Sequence, residues 1–83
     1  MEKEQVKKEL AELISEVMPE LGEIDLKKDI VSEYGINSVS IIRLIVSVEN
    51  KFGVSFTDYE LDLGAYRTFE QLADVVVKKL DEE

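Results

Sequence analysis

The sequence predicts an all-α fold, a four-helix bundle with three main helices and one short helix, and a long loop between helices one and two. Three observations carry this. Apolar residues recur with a helical period in three separate segments. Asn37, Thr57 and Thr68 stand where helices start, and Pro19, Gly53 and Gly64 where they stop. No strand-like run finds a second one to pair with; Val54-Ser55-Phe56 is the nearest, and it is alone. With 83 residues the chain reads as one domain, residues 1–83.

The first helix places Val6, Leu10, Leu13, Ile14 and Val17 on one stripe, with charged residues on the other side. Pro19 stops it, because the residue before a proline is pushed out of the α region. Residues 19–36 then form a long connection containing Gly22 and Gly35, pinned to the core by Leu21, Ile24, Leu26 and Ile30. A connection of this length in so small a domain is often functional. The second helix begins at Ser38, behind Asn37 as N-cap, and runs to about Phe52. Ile41, Leu44, Ile45, Val48 and Phe52 make its core stripe, while Val39, Ile42 and Val46 form a second stripe on another face. Gly53 follows where a left-handed C-cap is usual. Thr57-Asp58-Tyr59-Glu60 is a capping box opening a short third helix that Gly64 ends, with Phe56 and Leu61 at the staple positions. Thr68-Phe69-Glu70-Gln71 is a second box, opening a last helix through Leu72, Ala73, Val76 and Leu80.

Composition excludes much. Without Cys there is no disulfide, thiolate nucleophile or Cys-bound metal, and without His no imidazole base or Ser-His-Asp triad. The 19 acids against 10 bases give a net charge of −9, which repels phosphate backbones and argues against nucleic acid. The segment Val39 to Val48 is broken by Ser40, Arg43 and Ser47 and is too short to span a bilayer. No apolar signal run opens the sequence, so a cytoplasmic monomer is expected. Asp58, Glu60 and Asp62 alternate as in a calcium loop, but Leu63 and Phe69 stand where that loop needs Gly and Glu. They are expected on a solvated acidic face.

Ser38 is the residue to single out. It follows a glycine-containing loop and opens a helix, where free N–H groups and the macrodipole favour an anion by roughly 0.3–1 kcal/mol. Position alone proves little, because serine is common at helix starts.

The stretch Glu33-Tyr34-Gly35-Ile36-Asn37-Ser38-Val39 resembles the attachment motif of acyl and peptidyl carrier proteins, whose usual order is acid, apolar, Gly, any residue, Asp, Ser, apolar. The likeness covers roughly residues 6 to 80, taking in the long first loop, Phe52-Gly53-Val54, and Thr68-Phe69 ahead of Leu72-Ala73. The resemblance implies that Ser38 carries a 4′-phosphopantetheine arm taken from coenzyme A, with Asn37 capping the helix beside it. It implies a stand-alone carrier, not an enzyme, holding acyl or aminoacyl thioesters for fatty-acid, polyketide or nonribosomal-peptide synthesis. Its partners would be a phosphopantetheinyl transferase, a loading ligase and downstream synthases. Val39, Ile42 and Val46 would be the docking face, with Ile42 equally suited to packing on the third helix.

Two departures from the family's pattern stand out. Asn37 replaces the usual aspartate; it caps equally well but lacks the charge that would aid metal-assisted docking of the transferase. The helix from Ser38 to Phe52 sets Arg43 and Lys51 against Glu49, a net charge of +1, where fatty-acid carriers tend to be acidic. Such an apolar docking face is closer to peptidyl or specialised carriers. The alternative is an unmodified helical interaction module of the same fold. A carboxylate hydrolase built on Asp29 and Glu33 is a remote third, because so small a bundle rarely offers a cleft.

Overall fold

The computed structural model describes residues 2–82. It has four α-helices: α1 Lys3–Val17, α2 Ile30–Tyr34, α3 Ser38–Phe52 and α4 Phe69–Glu82. Short 3-10 turns occupy Pro19–Leu21, Asp58–Leu61 and Leu63–Ala65. Among the described residues the sole strand-type pairing is an isolated antiparallel bridge between Asp29 and Thr68. The all-α bundle is the one the sequence predicts.

Burial follows the apolar stripes. Val6, Leu10, Leu13 and Ile14 of α1 meet Ile41, Leu44, Ile45, Val48 and Phe52 of α3 and Phe69, Leu72, Ala73 and Val76 of α4 in one buried core. α1 packs against both other long helices. Each fully buried aliphatic or aromatic side chain contributes about 1.5–3 kcal/mol relative to exposure, so these stripes fix how each helix is rotated about its axis. Gly53 takes the left-handed conformation, φ 69°, and closes α3 with an N–H bond to the Glu49 carbonyl.

Two elements differ from the sequence expectation. The connection after Pro19 contains α2, which sequence periodicity does not reveal because five residues make under two turns. Its ends are set locally. Asp29 Oδ1 accepts the N–H groups of Val31 and Ser32, each at 2.9 Å, and Gly35 closes it at φ 63°. The short helix expected after Thr57 is instead a pair of 3-10 turns divided at Asp62. Asp62 is extended, and its Oδ1 accepts the Gly64 N–H at 2.9 Å, a local turn that competes with helix continuation. Gly64 therefore lies inside the second turn rather than ending a helix. The acids here are not simply a solvated face. Glu60 reaches back to the Thr57 N–H at 2.8 Å and pairs with Lys79 Nζ at 2.8 Å, while Lys79 lies 4.9 Å from the centre of the Phe56 ring.

The long connection is tied to the start of α4. Ile30 N–H donates to the Arg67 carbonyl and Glu70 N–H to the Leu26 carbonyl, both at 2.9 Å. The Tyr34 and Phe69 rings stand 5.7 Å apart, and the Tyr34 hydroxyl accepts from the Asp25 N–H at 2.8 Å. At Thr68 the expected capping box is shifted by one residue. Gln71 N–H donates to Thr68 Oγ1 at 3.3 Å, but Gln71 Oε1 accepts from Arg67 N–H at 2.6 Å.

Because one carboxylate oxygen starts α2, Asp29→Ala should lower stability by about 0.5–2 kcal/mol, the usual cost of a lost N-cap. Hydrogen exchange should quicken at the Val31 and Ser32 amides and stay slow at the buried middle of α3; unchanged exchange at those two amides would refute the capping role.

Candidate functional site

Asn37 leaves the chain extended at φ −107° and ψ 177°, and its Oδ1 accepts the Ser40 N–H at 2.9 Å. The first intrahelical bond runs from Ile41 N–H to the Asn37 carbonyl at 3.0 Å. Asn37 is thus the N-cap and Ser38 the first residue of a fifteen-residue helix. The N–H groups at the very start of a helix have no intrahelical acceptor, and they aim the positive end of the dipole outward.

Ser38 is exposed. At about 100° per residue it falls between the two apolar stripes of α3, at the seam where the buried face meets the outward one. It opens onto a shallow cleft of about 560 Å³. Asp29 and Val31 form one wall, at the start of α2, and Asp62, Leu63, Gly64, Tyr66 and Arg67 form the other, ahead of α4. The hydrogen bonds between α2 and the start of α4 hold these walls together.

The outward stripe is exposed at all three positions: Val39 69%, Ile42 43% and Val46 46%. Val31, 53% exposed and on the cleft wall, adds an apolar group that sequence reasoning missed. The signal for it was the Asp29 and Gly35 pair that brackets α2, which leaves Ile30 inside and its neighbour out. Asp29 and Glu33 do not form a hydrolytic pair. The Asp29 carboxylate is held below its ordinary range, first by the Ser32 N–H and then by the Val31 N–H, with Arg67 nearby adding to the effect. A carboxylate committed to capping is a poor general base. Tyr66, on the same wall, donates its hydroxyl to the Glu60 carbonyl at 2.7 Å. Burial, and secondarily the charge of Glu60, push its phenol up to about 12.

An exposed serine heading a long helix beside an open cleft suits a covalently attached anionic group. The sequence matches the family model "phosphopantetheine attachment site" over residues 8–76. The chain belongs to the acyl carrier protein family. It is 30% identical over 81 residues to the acyl carrier protein of Coprothermobacter proteolyticus, covering 96% of each chain. It is 39% identical over 77 residues to the meromycolate extension acyl carrier protein of Mycolicibacterium aurum, covering 89% of this chain and 74% of that one. The fold is similar to the crystal structure of the acyl carrier protein of Thermotoga maritima, with a TM-score of 0.78 and 30% identity over 99% of this chain and 94% of that one.

Membership makes this a carrier rather than an enzyme and brings with it a covalent 4′-phosphopantetheine group. The family also works with a phosphopantetheinyl transferase and with synthase enzymes. The chain's own residues fit that group: a hydroxyl open to solvent, a helix terminus that favours a phosphodiester, and room alongside for an extended arm. Among the described residues no helix is long and apolar enough to cross a membrane.

The raised Tyr66 phenol has a signed consequence. Its folded value lies above the unfolded 10.0, so its contribution is complete below pH 10 and is lost as pH rises toward about 12. Tyr66→Phe should remove that alkaline loss and cost about 0.5–1.5 kcal/mol at neutral pH through the missing hydrogen bond. Urea unfolding of both proteins across this range, with phenolate absorbance as the titration signal, checks both signs.

Proposed function

We propose that this protein carries acyl groups of the fatty-acid type on a 4′-phosphopantetheine arm joined to Ser38 Oγ, and that partner enzymes dock on Val39, Ile42 and Val46. The observation that carries the reading is the exposure of Ser38 at the first position of α3, inside the segment that matches the attachment-site family. The acyl rather than aminoacyl cargo is supported by the relatives, one of which is named for meromycolate extension.

Each residue has a defined part. During attachment the Ser38 hydroxyl gives up its proton and forms a bond to the pantetheine-side phosphorus of coenzyme A. The pyrophosphate bridge breaks, and adenosine 3′,5′-bisphosphate leaves. Asn37 holds the helix end in place through the Ser40 N–H, so the serine is presented on a fixed backbone. The helix terminus favours the resulting phosphodiester charge by about 0.3–1 kcal/mol. Once bound, the arm supplies a thiol that holds acyl groups as thioesters, chemistry for which this chain has no side chain of its own. The three exposed apolar residues offer a partner a desolvatable patch beside the arm.

Intact-mass spectrometry after incubation with coenzyme A and a broad-specificity transferase should show one phosphopantetheinyl addition, abolished by Ser38→Ala. Absence of the addition, or its survival in Ser38→Ala, rejects the site. Val46→Asp should leave stability within about 0.5 kcal/mol, as surface substitutions do, and reduce transferase binding several-fold in a titration followed by calorimetry. Unfolding of that variant, or unaltered binding, removes Val46 from the docking face.

A further inference from the structure

Arg67 stands apart from the chain's other cations. Its backbone is clamped on both sides: its carbonyl accepts the Ile30 N–H at 2.9 Å, and its N–H donates to Gln71 Oε1 at 2.6 Å. Its side chain is nevertheless 82% exposed, held only by a long contact of Nε to Asp29 Oδ2 at 3.5 Å. The backbone at Arg67 is therefore fixed at the cleft, while its exposed guanidinium is tied by that one long contact alone. Among the described residues lining the cleft with Ser38, Arg67 is the one cation, alongside the acids Asp29 and Asp62. Both acids are already engaged by backbone N–H groups: Asp29 by Val31 and Ser32, Asp62 by Gly64. Neither needs the arginine to satisfy it.

A phosphodiester on Ser38 adds a negative charge to a cleft that already holds two carboxylates and one guanidinium. Two acids would then repel it, and Arg67, which lines the same cleft, is the cation that can offset them. Guanidinium is the group best suited to this, since its planar fork pairs with two phosphate oxygens at once and is weakly hydrated. Resting on the assignment of Ser38 above, we propose that Arg67 is the positioning residue for the arm's phosphodiester: it leaves Asp29 on modification, pairs with the phosphate oxygens and biases the arm along the cleft. The fork matters as well as the charge, so lysine should substitute only in part.

The test uses the full chain labelled with nitrogen-15, before and after modification with coenzyme A and transferase, with mass spectrometry to certify the addition. The Arg67 Nε–Hε resonance should shift and its solvent exchange slow on modification, while that of Arg43, which does not line the cleft, should hardly move. The phosphorus-31 line should be narrower in Arg67→Gln than in the native protein, since the untethered phosphate moves faster, with Arg67→Lys in between. Added sodium chloride should bring the native line toward that of Arg67→Gln. A protein that gains the full mass but leaves the Arg67 resonance and the phosphorus line unaltered overturns the role of Arg67 and leaves Ser38 standing. No mass gain overturns both. Should Arg67→Gln fail to fold, the resonance measurement on the native chain decides the matter by itself.

Discussion

The third helix has more apolar surface than a bundle of this size can cover, and the rest of the structure follows from which part is buried. Ile41, Leu44, Ile45, Val48 and Phe52 are shut into the common core, with α3 packed on α1 and on the two 3-10 turns after Thr57, and the first four are fully inaccessible. That choice sets the rotation of α3 and leaves Val39, Ile42 and Val46 outside. Rotating the helix to hide the second stripe would expose the first, at about 1.5–3 kcal/mol for each large side chain released. The core therefore enforces an apolar outer face, and places Ser38 at the seam between the two.

A helix start is useful only if its surroundings stay put, and here the long connection supplies that rigidity. α2 is too short to be stable by itself, since helix nucleation is unfavourable and five residues recover few bonds. It persists because Ile30 is buried, Asp29 caps it, and its first N–H is bonded across to Arg67. Across the cleft, the Lys79 contacts with Glu60 and Phe56 tie the 3-10 turns to α4. Both walls are thereby referred to the same helix, α4, which itself packs on α1. The cleft is held open without any side chain filling it.

How much of this was legible from sequence varied with element length. The bounds of α3 were readable in full, because Asn37 and Gly53 mark its two ends and a fifteen-residue segment shows its period clearly. Most of the buried sets of α1 and α4 followed from the same periodicity, but Val17 and Leu80 at the helix ends are only half-buried, and Phe69, read as part of a capping box, is fully buried. α2 escaped notice although its signals were present: Asp29 and Gly35 are a cap and a stop with five residues between them. The segment after Thr57 misled because a capping box predicts a start, not a length. Asp62 then diverted the backbone into a turn, and its carboxylate competed with the helix for an N–H. For the proposed site, the motif points to Ser38 but says nothing of Arg67. Arg67 is far from it in sequence and shares a cleft with it only once the connection has folded back on α4.

Charge completes the picture. The protein carries −9 overall, yet the segment from Ser38 to Phe52 is +1, so the acids lie elsewhere. A uniformly acidic surface would oppose a phosphodiester at every point. Withdrawing acids from α3 and setting the Arg67 guanidinium in the same cleft as Ser38 lessens that opposition at the proposed attachment point. The acids that remain near it, Asp29 and Asp62, are spent on backbone N–H groups, where they build the walls and are partly neutralised by the donors they accept from. The cost of carrying so much negative charge is thus displaced onto the outer faces, where water and salt screen it over about 10 Å. On the proposed docking face a partner would meet apolar side chains and a net positive segment, so recognition there would rest on desolvation more than on attraction between opposite charges.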